Sequence, residues 1–349
     1  MSNNNKKEYQ ISKGAMWLGS LLLFVLGIFA GFASRQFIPL NQTRQQVVTV
    51  REKGNQYKFI EPLLTFDVPE LDYGAGLKST KDLIQQSVAE HLRKRNANQI
   101  SVYVRGLKSG RWIGVNADEK YNPASLLKVP TLIAFFKLAQ SNPEILSREA
   151  LYDGSFDDNQ SEYFKPPKPL VAGKSYSIEE LLKRMIVYSD NNAARLLHQN
   201  IDEKFLLRVY TDLNISAPGP QNDFDFMTAK DYSYFFRILY NATYLDRTFS
   251  EKALNLLNET DFGSGIRAGV PNNILVANKF GERTVLSRDH QPVSLELHDC
   301  GIVYYPDHPY FLCIMTQGND FGDLAKAIMD ISGIVYQERI RQFTPPLKN

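Results

Sequence analysis

At 349 residues and 43% hydrophobic content, the chain can bury a substantial core and is not a disordered protein. Its 40 Lys and Arg against 38 Asp and Glu leave a net charge of +2. No run of five or six basic residues follows a phosphate backbone, so nucleic acid is excluded as a partner. The five histidines (His91, His198, His290, His298, His308) lack metal-ligand spacing, and the two cysteines cannot build a zinc site alone. No metal or other cofactor is expected.

Ala15 to Ala33 is an uncharged apolar stretch of about the length that crosses a bilayer. Lys6, Lys7 and Lys13 precede it and only Arg35 follows closely, which puts residues 1–14 in the cytoplasm and exports the rest. A single-pass anchor in the cell membrane is the preferred reading. A cleaved signal peptide is the rival, with Gly31 and Ala33 at plausible cleavage positions. Residues 34–76 read as a stalk or linker with three prolines and some short structure near Phe59 to Phe66, and the folded domain as 77–345.

The domain opens with a helix expected over Ser79 to Arg95, with Leu83, Val88 and Leu92 as an incomplete apolar stripe. Strands over Ile100–Leu107 and Arg111–Val115 flank a hairpin signal at Lys108-Ser109-Gly110. A strongly apolar helix follows over Ala124 to Ala139, then a mostly helical middle to about residue 262. Strands return at Ile274–Phe280, Ser294–Tyr305 and Tyr310–Thr316. This order predicts an α/β (α+β) sandwich with an inserted helical lobe.

Ser125-Leu126-Leu127-Lys128 is the chain's one Ser-x-x-Lys. Residues three apart on a helix share a face, so the Lys128 amine can reach the Ser125 hydroxyl. A serine needs a base to become a nucleophile, and a lysine serves when burial lowers its pKa. Alone, the motif is weak, and its plain reading is a helix start with a snorkelling lysine. Ser189-Asp190-Asn191 lies between two helices, the first opened by a capping box of Ser177 and Glu180. Its plain reading is that Asp190 or Asn191 caps the second helix. Lys279-Phe280-Gly281 ends a strand-like run and means little alone.

In this order the three elements resemble the serine β-lactamase and penicillin-binding protein superfamily, with its S-x-x-K, S-D-N and K-T-G motifs. The likeness extends over NPASLLKVP, SIEELLKRMIVYSDNNAARLL, GIRAGVP and HDCGIVYYPDHPYFLCIMTQG, and looks closest to the class A β-lactamase branch. It implies a β-lactamase/DD-peptidase-like fold, an antiparallel sheet flanked by helices, acting on a β-lactam or a peptidoglycan acyl-D-Ala-D-Ala group. Ser125 would attack the carbonyl, Lys128 would take its proton, and Ser189 with Lys279 would protonate the leaving nitrogen. Asn191 would bind the substrate amide. The backbone N–H groups of Ser125 and Glu282, beside Gly281, would form the oxyanion hole.

Two departures stand out. Phe280 replaces the hydroxyl residue that holds the substrate carboxylate, leaving Arg283 as a substitute. The region after the second helix looks shortened and has no glutamate at the place matching the one that activates a deacylating water, Asp223 and Asp225 being the nearest carboxylates. Slow deacylation is therefore expected. A non-catalytic wall-binding or scaffold protein that kept the fold is the alternative. Cys300 and Cys313, placed diagonally across a turn centred on Pro306–Pro309, are expected to be two buried free thiols.

Overall fold

The computed structural model describes residues 51, 57–63, 74–219, 225–287, 289 and 291–343. They belong to one compact unit spanning Thr49–Asn349, and the Ala15–Ala33 stretch lies outside them. Among the described residues no helix is long and apolar enough to cross a membrane.

Helix α1 (Gly74–Arg93) leads into strands β1 (Gln99–Gly106), β2 (Trp112–Val115) and β3 (Lys120–Tyr121). A 3-10 turn at Ala124–Leu127 runs into α2 (Lys128–Ser141), and β4 (Glu149–Tyr152) and β5 (Lys174–Ser177) follow. The helical lobe continues with α3 (Ile178–Val187), α4 (Asn191–Gln199) and α5 (Glu203–Asp212). Strand β6 (Met227–Thr228) precedes α6 (Ala229–Tyr240) and α7 (Arg247–Asn258). Strands β7 (Val276–Leu286), β8 (Pro292–Val303) and β9 (Tyr310–Gly318) precede α8 (Phe321–Phe343).

The main sheet has the order β2-β1-β9-β8-β7, and every pairing in it is antiparallel. Its two faces bury different cores, as the two-residue period of a strand requires. Val102 and Val104 of β1 and Leu312 and Ile314 of β9 join Ile84, Val88, Ile328 and Ile331 from α1 and α8. The residues between them, Tyr103, Phe311, Cys313 and Met315, face the lobe built from α2, α3, α6 and α7. This is the expected sandwich with its helical lobe.

In α1 the stripe differs from expectation. Ile84 and Val88 are buried, while Leu83 and Leu92 are 39% and 36% exposed. The helix lies a fraction of a turn away from the face that Leu83 suggested. Ser177 caps α3 by accepting from Glu180 N, but Glu180 spends its carboxylate on Arg184 rather than completing the box. Within the expected stalk, residues 57–63 are docked on the domain. The Glu251 carboxylate accepts the N–H groups of Lys58, Phe59 and Ile60, and Tyr240 donates to Glu61.

The cysteines correct an expectation. Cys300 and Cys313 form a disulfide with the sulfurs 2.02 Å apart. The ladder runs Val303↔Tyr310 and Cys300↔Cys313, so the two residues are directly opposed at a Cα separation of 3.9 Å. Centring the turn one residue too late had moved the partner by two and made the pair look diagonal. Denatured, unreduced protein should therefore show no free thiol. Reduction should lower unfolding stability in urea by about 3 kcal/mol, the order for a loop of this length. Equal midpoints with and without reductant would contradict this.

Candidate active site

The nucleophile candidate sits in the 3-10 turn at Ala124–Leu127, not in a regular α-helix. Three residues per turn place Ser125 and Lys128 one turn apart on one side. Ala124 holds a φ of 48°, a left-handed conformation costly for a residue with a Cβ. Several bonds hold the turn in place. Asn122 Oδ1 accepts Ala124 N at 3.0 Å, Pro123 O accepts Leu126 N at 3.0 Å, and Tyr232 donates to Leu126 O at 2.9 Å. His298, buried and pushed down to a pKa of about 4 by that burial, is neutral. Its Nδ1 accepts Thr316 N at 3.2 Å, so Nε2 carries the hydrogen and donates to Asn122 O at 3.0 Å.

The second motif divides its labour. Asp190 is fully buried and caps α4, its Oδ1 accepting Asn192 N at 2.9 Å and Ala193 N at 3.2 Å, so the plain capping reading holds for this residue. That cap leaves Ser189, at φ 55°, and Asn191 on either side facing Lys128. The Lys128 amine donates to Ser189 O at 2.6 Å, Ser189 Oγ at 3.1 Å and Asn191 Oδ1 at 2.5 Å. All three of its protons are thus placed on the second motif. Burial pulls its pKa from 10.5 down to about 8, against the opposing pull of Glu162, Asp190 and Glu282.

The third motif arrives on β7. Lys279 is fully buried and donates to Ser189 Oγ at 2.8 Å and to Phe280 O at 2.9 Å. Burial first, and the neighbouring Lys128 second, hold its pKa well below the ordinary lysine value. Ser189 Oγ therefore sits between two amines. A Cβ on Gly281 would lie 2.7 Å from Pro123 O and 3.1 Å from Leu126 N, so only glycine lets β7 pass this close to the nucleophile turn. Three motifs far apart in sequence lie together here, as the family resemblance implied.

Phe280 points to the opposite face. Its ring stacks on Phe262 at 4.2 Å and meets Phe164 edge-on at 5.7 Å, inside the core shared with α8. Arg283 is paired with Glu296 at 3.5 Å and Asp225 at 3.8 Å. Asp223 lies outside the described residues. Among the described residues no group of three or more His, Cys, Asp or Glu could hold a metal ion.

Sequence reading missed the segment between β4 and β5. Asn159 Oδ1 accepts Asn191 N at 2.8 Å and its Nδ2 donates to Asp190 Oδ1 at 2.9 Å. Glu162 Oε1 accepts Asn191 Nδ2 at 2.8 Å. Glu282 was marked for its backbone, yet its side chain also acts: Oε1 accepts Phe164 N at 2.9 Å and Oε2 accepts Tyr163 N at 3.1 Å. Its pKa rises to about 7 through burial and contact with the Glu162 carboxyl. The only signal in the sequence was a run of acids and amides, which reads as an ordinary solvated loop.

Among curated protein sequences none matches significantly. Solved structures share the fold. The structure of PBP-A superposes with a TM-score of 0.63 at 21% identity, covering 78% of this chain and 99% of that one. A beta lactamase from Xanthomonas campestris pv. campestris gives 0.61 at 19% identity, covering 74% and 98%. A class A beta-lactamase from Mycobacterium abscessus gives 0.60 at 20% identity, covering 74% and 99%. The family model described as "Beta-lactamase enzyme family" matches residues 82–339, a stretch that begins inside α1, ends inside α8 and contains all three motifs. With that span matched and the motifs gathered around Ser189, the chain belongs to the beta-lactamase enzyme family.

Proposed function

We propose that the protein is an exported serine acyl-enzyme, with Ser125 as nucleophile, acting on β-lactam or acyl-D-Ala-D-Ala amides. The observation that carries this is the position of Ser189 Oγ between Lys128 Nζ at 3.1 Å and Lys279 Nζ at 2.8 Å. A hydroxyl between two amines of lowered pKa relays protons in either direction. Lys128, one turn from Ser125, takes the proton as the serine attacks, and Ser189 returns one to the leaving nitrogen. The N–H groups of Ser125 and Glu282 receive the developing oxyanion. The related PBP-A, one mutant of which was solved as an acyl-enzyme complex with penicillin G, supports this substrate class. The N-terminal apolar stretch would anchor the domain outside the membrane.

The burial of Phe280 and the pairing of Arg283 favour a second reading, a scaffold that kept the fold. Labelling separates the two. A fluorescent penicillin should mark the wild type covalently and leave Ser125→Ala unmarked; an unlabelled wild type would favour the scaffold.

A further inference from the structure

The segment between β4 and β5 bonds to both walls of the groove that holds Ser189. On the α4 wall, Asp158 N donates to Asn192 Oδ1 at 2.7 Å, Asn192 Nδ2 donates to Asp157 Oδ1 at 3.0 Å, and Asn159 holds Asp190 and Asn191. On the β7 wall, Glu282 takes the N–H groups of Tyr163 and Phe164. Phe164 then inserts its ring against Phe262, Phe280 and Phe321.

The bonding capacity of the site is spent on this segment. Asn191 Oδ1 accepts from Lys128, and its two Nδ2 protons go to Asp158 O at 3.2 Å and Glu162 Oε1 at 2.8 Å. An amide so occupied has no donor left for a substrate. Glu162 ties the strap to the α4 wall through Asn191, and Glu282 ties it to the β7 wall through the N–H groups of Tyr163 and Phe164.

We propose that residues 157–164 form a strap that closes the active-site groove, latched by Glu162 on Asn191 and by Glu282 on the N–H groups of Tyr163 and Phe164, and that the strap must lift before a substrate reaches Ser125. The inference rests on the proposed acyl-enzyme function, because a gate needs a reaction to regulate. It assigns Glu162 and Glu282 a role apart from chemistry: they hold the closed form and set the rate of entry. A substrate then binds with an apparent affinity reduced by the fraction of molecules that are open.

The test is the second-order rate of labelling by fluorescent penicillin in the full chain, measured for wild type, Glu282→Ala and Glu162→Ala. The first variant frees the N–H groups of Tyr163 and Phe164, while retaining the backbone N–H of residue 282. The second releases Asn191 from the strap side and leaves β7 intact, which keeps the test valid if the first variant folds poorly. Both should label about 10-fold faster, the order expected when one such bond stops competing with substrate. If the wild type labels and both variants label no faster at unchanged melting temperature, the strap is not a gate and the acyl-enzyme reading stands. If nothing labels, in wild type or variants, both are overturned.

Discussion

Intact-mass spectra of the purified protein mixed with a β-lactam should show one added mass on Ser125 that outlasts a class A intermediate by about 10²- to 10⁴-fold, the usual cost of losing a general base. Acylation and release make different demands. Acylation needs Ser125, Lys128 and Ser189, of which Lys128 and Ser189 are hydrogen-bonded and Ser125 lies one turn from Lys128, and a strained amide will react even where contacts to its carboxylate are poor. Release needs a water held and deprotonated beside the ester. Residues 213–226 contain no glutamate, and Asp225 is paired with Arg283. Glu162, another acid near Lys128, accepts a hydrogen bond from Asn191. Fast multiple turnover without an adduct would sink this expectation and direct attention to Asp223, Asp225 and Glu162 as bases.

The acylation rate should climb with pH and level off above about 8, where Lys128 loses its proton. Only the neutral amine accepts the serine proton. Because folding lowers the pKa from 10.5 to about 8, the active form is already about 10% populated at neutral pH. At an unshifted value it would be under about 0.1%. Lys128→Met removes the base and should cost about 10²- to 10⁴-fold in acylation at pH 8, while flattening the pH profile. A profile unchanged in that variant would show that another group takes the proton. Lys279→Met would then be the next variant to examine, since Lys279 shares the Ser189 hydroxyl.

The legible part of the site was the part written in local spacing. Ser125 and Lys128 are three residues apart, Ser189 and Asn191 flank a capping aspartate, and Lys279 and Gly281 share one face of a strand. The sheet was legible too, since β1 and β9 alternate between two cores. Register was less so, because one residue in the turn centre moves every partner by two, and that cost the disulfide. The long α8, which covers one face of the sheet, was not anticipated. The strap was invisible for a different reason. Glu162 meets its partner Asn191 across 29 residues, and Glu282 bonds Tyr163 across 119. No periodicity marks polar contacts of that range.

The position of Phe280 carries a consequence for how this lineage can change. Its ring is 3% exposed, stacked on Phe262 and met edge-on by Phe164, so it packs the strap and β7 together in the core shared with α8. A threonine there would match the K-T-G pattern, but on this backbone it would enter the same aromatic cluster. It would also empty an aromatic-sized space, at a cost of about 3–5 kcal/mol in a domain whose total stability is on the order of 5–15 kcal/mol. The hydroxyl therefore does not return by one permissive step. An engineered descendant that carries it would be favoured by stabilising changes made first elsewhere, so packing as well as catalysis sets the route.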